Sequence, residues 1–184
     1  MSNEIALRTE IDELKKSVAA LQKQQPKDKV SMLILSGDMD RMLASFVIAS
    51  GAIAMGSEVT MFFTFWGITA IRDPQKSGSG KNIIEKMFGF MLPSGAAKLP
   101  LSQMNFMGMG PLMIGGIMKK KKVPSVTEFL ALAAELGVKI RVCEMSMDLM
   151  GFKREEFIQY PGIEFCGAAK FLEDANESRV TLFI

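Results

Sequence analysis

The chain has 184 residues, 48% of them hydrophobic, and a formal net charge of +2. That length holds one α/β domain with an appendage but not two full domains, and the near-balanced charge gives no reason to expect nucleic acid as a partner. There is no histidine and there are two cysteines, which excludes histidine triads, histidine metal sites and histidine general bases. Carboxylates, lysines and thiols are left to carry any chemistry, and the sequence indicates no metal and no cofactor.

Residues 3–24 carry a narrow apolar stripe, Leu7, Ile11, Leu14, Val18 and Leu21, with charged and Gln residues filling most other positions. The spacing of four, three, four, three is that of a coiled-coil seam; a helix packed on its own domain is the competing reading. Residues 22–29, with Pro26, read as a linker. The expected division is therefore an arm and linker over residues 1–28 and an α/β domain over 29–184. So charged a beginning is no secretory signal, and two cysteines without one suit a reducing cytoplasm.

VSMLIL (residues 30–35) reads as the first strand, and Ser36, Gly37, Asp38, Met39 and Asp40 as its turn. Asp38 is a candidate N-cap for a helix over 41–55. A strand, glycine turn and helix start can cradle an anion, although no G-x-G-x-x-G fingerprint is present. Residues 42–70 hold a single charge, Glu58, and are long enough to span a bilayer. The Gly56, Ser57, Glu58 break and the β-rich run after it favour a buried helix followed by a buried parallel strand over 59–66. A membrane surface is the less favoured alternative.

Residues 73–81 (DPQKSGSGK) read as a flexible loop, 82–88 as a helix, and 105–118 (NFMGMGPLMIGGIM) as a Met-rich mobile flap or repackable surface. Four lysines, 119–122, close that segment as a solvated helix end. Residues 123–137 give the clearest helix: Ser125 with Glu128 makes a capping box, Gly137 supplies the stop, and Val126, Phe129, Leu130, Ala133 and Leu136 form the buried face. A third strand over 139–142 runs into Cys143, followed by short helices over 146–150 and 154–158. After the turn at Tyr160, Pro161 and Gly162 come a short strand over 163–165 ending at Cys166, a helix over 167–176 and a last buried strand over 179–184. Apolar strands alternating with helices predict a parallel sheet with helices on both faces; the strand order is not derivable.

In such sheets ligands and chemistry gather outside the carboxyl ends of the strands. Cys143 and Cys166 both stand at such ends, where a helix start favours a thiolate; the alternative for each is a buried core thiol. The candidate ligand- or substrate-binding residues are Gly37, Asp38 and Met39 in the first turn, Phe65 and Trp66 after the second strand, and Met145, Ser146 and Met147 beside Cys143.

The segments LILSGDMDRMLASFVIASGAIAMGSEVTMFFTFWG, KNIIEKMFGFMLP, VCEMSMDLMG and GAAKFLEDANESRVTLFI, in this order over residues 30–184, resemble the DsrE/DsrF-like family, in its longer branch with the sulfurtransferase or peroxiredoxin-like label. The resemblance implies a flavodoxin-like three-layer domain, assembly into homo-oligomers, and sulfur carried as a persulfide on a cysteine between a strand and a small helix. That position matches Cys143, with Cys166 as a second thiol. The partners so implied are persulfide donors and acceptors, rhodanese-like proteins and small sulfur-relay proteins. No P-x-x-x-T-x-x-C pattern of a thiol peroxidase surrounds either cysteine. Two functions follow as expectations: a cytoplasmic sulfur carrier acting through Cys143, or a non-catalytic oligomeric binding module.

Overall fold

A computed structural model describes residues 2–24, 26–78 and 80–184. Gln25 of the expected linker and Ser79 of the expected loop lie outside the described residues. Helix α1 (Ser2–Gln24) precedes β1 (Lys27–Ile34), so the expected linker is largely taken up by helix and strand. Then follow α2 (Met39–Ala54), β2 (Glu58–Phe63), a 3-10 segment (Phe65–Ile71), α3 (Ile83–Met91), α4 (Met109–Lys120) and α5 (Val126–Glu135). The chain continues with β3 (Lys139–Cys143), α6 (Glu144–Met150), β4 (Glu164–Cys166), α7 (Ala168–Glu177) and β5 (Ser178–Phe183).

Among the described residues five strands form one sheet in the order β4-β3-β2-β1-β5, every pair parallel. The chain steps from β1 to β2 to β3 in one direction, and α2 and α5 pack together on one face. Their Met42, Phe46, Phe129, Leu130 and Ala133 close over Met32, Met61, Ile140 and Val142. From β4 the chain must return across the whole sheet to place β5 beside β1. A right-handed crossover then puts α7 on the opposite face, where it contacts β1 and β5 and seats Phe171 on Phe62 with ring centroids 5.5 Å apart. The result is the expected three-layer, flavodoxin-like α/β architecture with helices on both faces.

Local signals fix several boundaries. Ser125 and Glu128 form the expected capping box of α5, and Asn82 with Glu85 forms another at α3. The apolar stretch 42–70 divides into α2, β2 and the 3-10 segment. Among the described residues no helix is long and apolar enough to cross a membrane.

Four expectations are corrected. The Met-rich segment, expected as a mobile flap or repackable surface, is for most of its length the regular helix α4, whose exposed Met109, Leu112, Met113 and Ile117 fit the second reading and not the first. The last strand is not buried, because its place outside β1 makes it an edge, and Val180 and Phe183 are exposed. Leu136 lies beyond the last turn of α5 and is exposed as well. Residues 154–158 form only a 3-10 turn, Arg154–Glu156.

Candidate functional site

The carboxyl ends of β3 and β4 stand side by side, and their register pairs Cys143 directly with Cys166. Adjacent strands are about 4.8 Å apart, inside the range of roughly 4.4–6.8 Å between Cα atoms that a disulfide spans; both cysteines are free thiols. The position has a topological meaning. The helix leaving β3 sends Met147 and Met150 into the core and packs against the 3-10 segment and α3, whereas the helix leaving β4 crosses to the other face, against β1 and β5. The change of direction between neighbouring strands opens the crevice in which parallel α/β sheets hold ligands. Both cysteines end their strands at that point.

They are not equally placed. Cys143 ends β3 and is the N-cap residue of α6, and it is 2% exposed. Cys166 is half-buried and stands just before Gly167, the N-cap residue of α7. Burial pushes the Cys166 thiol up from its ordinary range, and the Glu164 carboxylate adds to that effect. The Arg141 guanidinium opposes it through its charge and a hydrogen bond.

Side chains two residues apart on a strand share a face, so Arg141 lies with Cys143 and Glu164 with Cys166, all on the α7 side. There Asp174 of α7, itself 2% exposed, is held between two cations. Its carboxylate lies 2.5 Å from Lys29 Nζ and 2.5 Å from Arg141 Nε, and Arg141 also pairs with Glu164. Lys29 has a second carboxylate in Glu177 at 3.5 Å. This network ties β1, β3, β4 and α7 together beside the thiols. Sequence reasoning passed over it, although an arginine inside the buried strand KIRVC is a signal that a buried acid must answer it.

The expected binding residues divide between separate places. Ser146 is fully buried and structural. Its hydroxyl pairs with Thr64 Oγ1 at 2.9 Å and accepts from the Phe65 N–H at 3.0 Å, joining the ends of β2 and β3. Phe65 is held there at φ 42°, a left-handed conformation unusual for a bulky residue, and it starts the 3-10 turn where a continuing strand was expected. Met147 belongs to the core and also lines a small cavity with Glu144, Asp148 and Arg154, whereas Met145 is exposed.

Gly37 and Asp38 meet the half-exposed Trp66 and Thr69 in a cleft of 230 Å³ at the ends of β1 and β2. The two chains approach so closely there that a Cβ on Gly37 would come within 2.6 Å of the Trp66 carbonyl oxygen. Asp38 occupies the N-cap position of α2, but its side chain does not cap. It accepts from Ser36 Oγ at 2.5 Å and pairs with Arg41 at 3.7 Å. Met39 lines a different cavity, 690 Å³ between α4 and α5, with Leu99, Pro111, Leu112 and Met118. Among the described residues no three metal-ligating side chains are gathered into one group.

A model of the DsrE/DsrF/DrsH-like family matches residues 26–183. The chain belongs to this family. The resemblance read from residues 30–184 is thereby borne out. The "Uncharacterized protein YrkE" of Bacillus subtilis strain 168 is 44% identical over 156 residues, which cover 85% of this chain and 96% of YrkE. The "Sulfur carrier protein DsrE2" of Allochromatium vinosum is 34% identical over 160 residues, covering 85% of this chain and 98% of DsrE2. Among solved structures, the YchN protein of E. coli aligns with a TM-score of 0.48 at 10% identity, over 85% of this chain and 98% of YchN.

Proposed function

We propose that this DsrE-like protein is a cytoplasmic sulfur carrier that takes up sulfane sulfur as a persulfide on Cys143, with Cys166 as the second, more accessible thiol of the site. The observation that carries the reading is the pairing of the two cysteines in register at the carboxyl ends of the neighbouring strands β3 and β4. The 34% identity to a DsrE2 sulfur carrier supports the same class of chemistry.

In this reading the Cys143 thiolate attacks the outer sulfur of a donor persulfide. The donor's sulfur–sulfur bond breaks, its thiolate leaves, and Cys143 holds the new persulfide. An acceptor thiolate then attacks the outer sulfur and Cys143 leaves as thiolate. Each step exchanges one sulfur–sulfur bond for another, so neither oxidant nor general acid is needed. The donors bear a persulfide and the acceptors a free thiol, on proteins of the rhodanese-like and small sulfur-relay kinds, and the protein works as a homo-oligomer.

Burial of Cys143 favours a second reading: a non-catalytic oligomeric module that binds a partner or small ligand through the cavity between α4 and α5, with a membrane surface among its contacts.

Intact mass after exposure to polysulfide, compared for wild type, Cys143→Ser and Cys166→Ser, separates these cases. A gain of sulfur in wild type that is lost in Cys143→Ser supports the carrier. A gain that survives in Cys143→Ser and is lost in Cys166→Ser moves the sulfur to Cys166. No gain in wild type overturns the carrier in favour of the binding module.

A further inference from the structure

Helix α1 presents Leu7, Ile11, Leu14, Val18 and Leu21 along one side, and each is between 42% and 63% exposed. In heptad terms Ile11 and Val18 fall at a positions, and Leu7, Leu14 and Leu21 at d positions. β-branched residues at a with leucine at d are the combination that favours two parallel strands over three or four. We propose that α1 pairs with α1 of a second copy of this chain as a parallel two-stranded coiled coil.

Charge fixes the direction. Glu10 falls at a g position and Lys15 at the following e position, and in a parallel pair g of one helix faces the next e of its partner. Glu10 of each copy then meets Lys15 of the other, giving two symmetry-related attractive pairs. Within one helix Lys15 lies 4.0 Å from Asp12. In the antiparallel arrangement e faces e, which would set Arg8 against Lys15, two like charges, and leave Glu10 without a cation opposite it. Because α1 ends at Gln24 and β1 begins at Lys27, a parallel pair also brings the two α/β domains out at the same end of a rod about 35 Å long.

Sedimentation of the full chain tests the proposal. Leu14 stands outside the α/β core, so Leu14→Glu removes the seam without touching the domain, and the assembly mass should fall by half relative to wild type. Equal masses overturn the proposal. Lys15→Glu alone should raise the dimer dissociation constant about tenfold by turning both cross-helix pairs repulsive, and adding Glu10→Lys should restore it. A double variant that stays as weak as Lys15→Glu overturns the parallel arrangement.

Discussion

Asp174 is the residue whose removal tests the reading of the α7 face most directly. Substitution by Asn keeps the shape and deletes the charge, leaving Lys29 and Arg141 without the carboxylate that each approaches to 2.5 Å. Breaking a buried ion pair by removing one partner costs about 3–5 kcal/mol, because the surviving charge stays desolvated. Here each cation has a second carboxylate: Glu177 lies 3.5 Å from Lys29, and Glu164 pairs with Arg141. Both are more exposed than Asp174, and their retention places Asp174→Asn at the low end, about 3 kcal/mol. In urea the midpoint should fall by about 1–2 M with an unchanged slope, and Tm should fall by about 6–12 °C. A double-mutant cycle with Lys29→Met should show a coupling of about 1–3 kcal/mol, since the two residues share one contact. A variant within about 0.5 kcal/mol of wild type, or an additive cycle, would refute the claim that this network holds α7 on the sheet.

The neighbouring charge should also govern thiol reactivity. Glu164→Gln removes one of the influences that push the Cys166 thiol up while leaving Arg141 in place. Alkylation of Cys166 at neutral pH, followed by peptide mass, should speed up roughly threefold at low salt; a slower rate would count against the assignment. Ser146→Ala leaves the Phe65 N–H and the Thr64 hydroxyl without their partner in a dry site, and chemical denaturation should register a loss of about 1–3 kcal/mol. Gly67→Ala would place a methyl 2.2 Å from the Ile34 carbonyl oxygen. Because that atom is backbone at the end of a core strand, the expected loss exceeds about 2 kcal/mol, and an unchanged melting curve would show that β1 yields more readily than its packing implies.

How much of this was legible depends on whether a feature is local. The capping box of α5 is written within four consecutive residues, Ser125 to Glu128, and it appears as expected. The apolar runs at β1, β2 and β3 read correctly as buried parallel strands because both faces of each are covered. Residues 105–118 misled because glycine and methionine describe composition rather than periodicity: Gly110, Gly115 and Gly116 weaken the helical pattern without preventing α4. Asp38 sits where an N-cap should, but Ser36 two residues earlier holds its carboxylate, a competition that residue type alone does not reveal. The pairing of Cys143 with Cys166 was out of reach. Each cysteine could be placed at a strand end, but their adjacency depends on β4 lying next to β3, which no local signal encodes. The same holds for Asp174, whose partners are 145 and 33 residues away.

Chemistry without histidine narrows what such a site can do. Displacing an alkoxide or an amine requires a proton delivered to the leaving atom. The ionisable groups that act on Cys166 are Arg141, Glu164 and Asp174, and both carboxylates are engaged in ion pairs with Arg141. A thiolate leaves without that help, and the rate of exchange is set by the ionisation of the attacking and departing sulfurs. Arg141 favours the anionic form of Cys166, burial and Glu164 oppose it, and all three act from positions fixed by the sheet and by α7. The composition, which lacks histidine, and the topology, which sets two thiols side by side at the ends of β3 and β4, are both compatible with the proposed exchange of sulfur for sulfur.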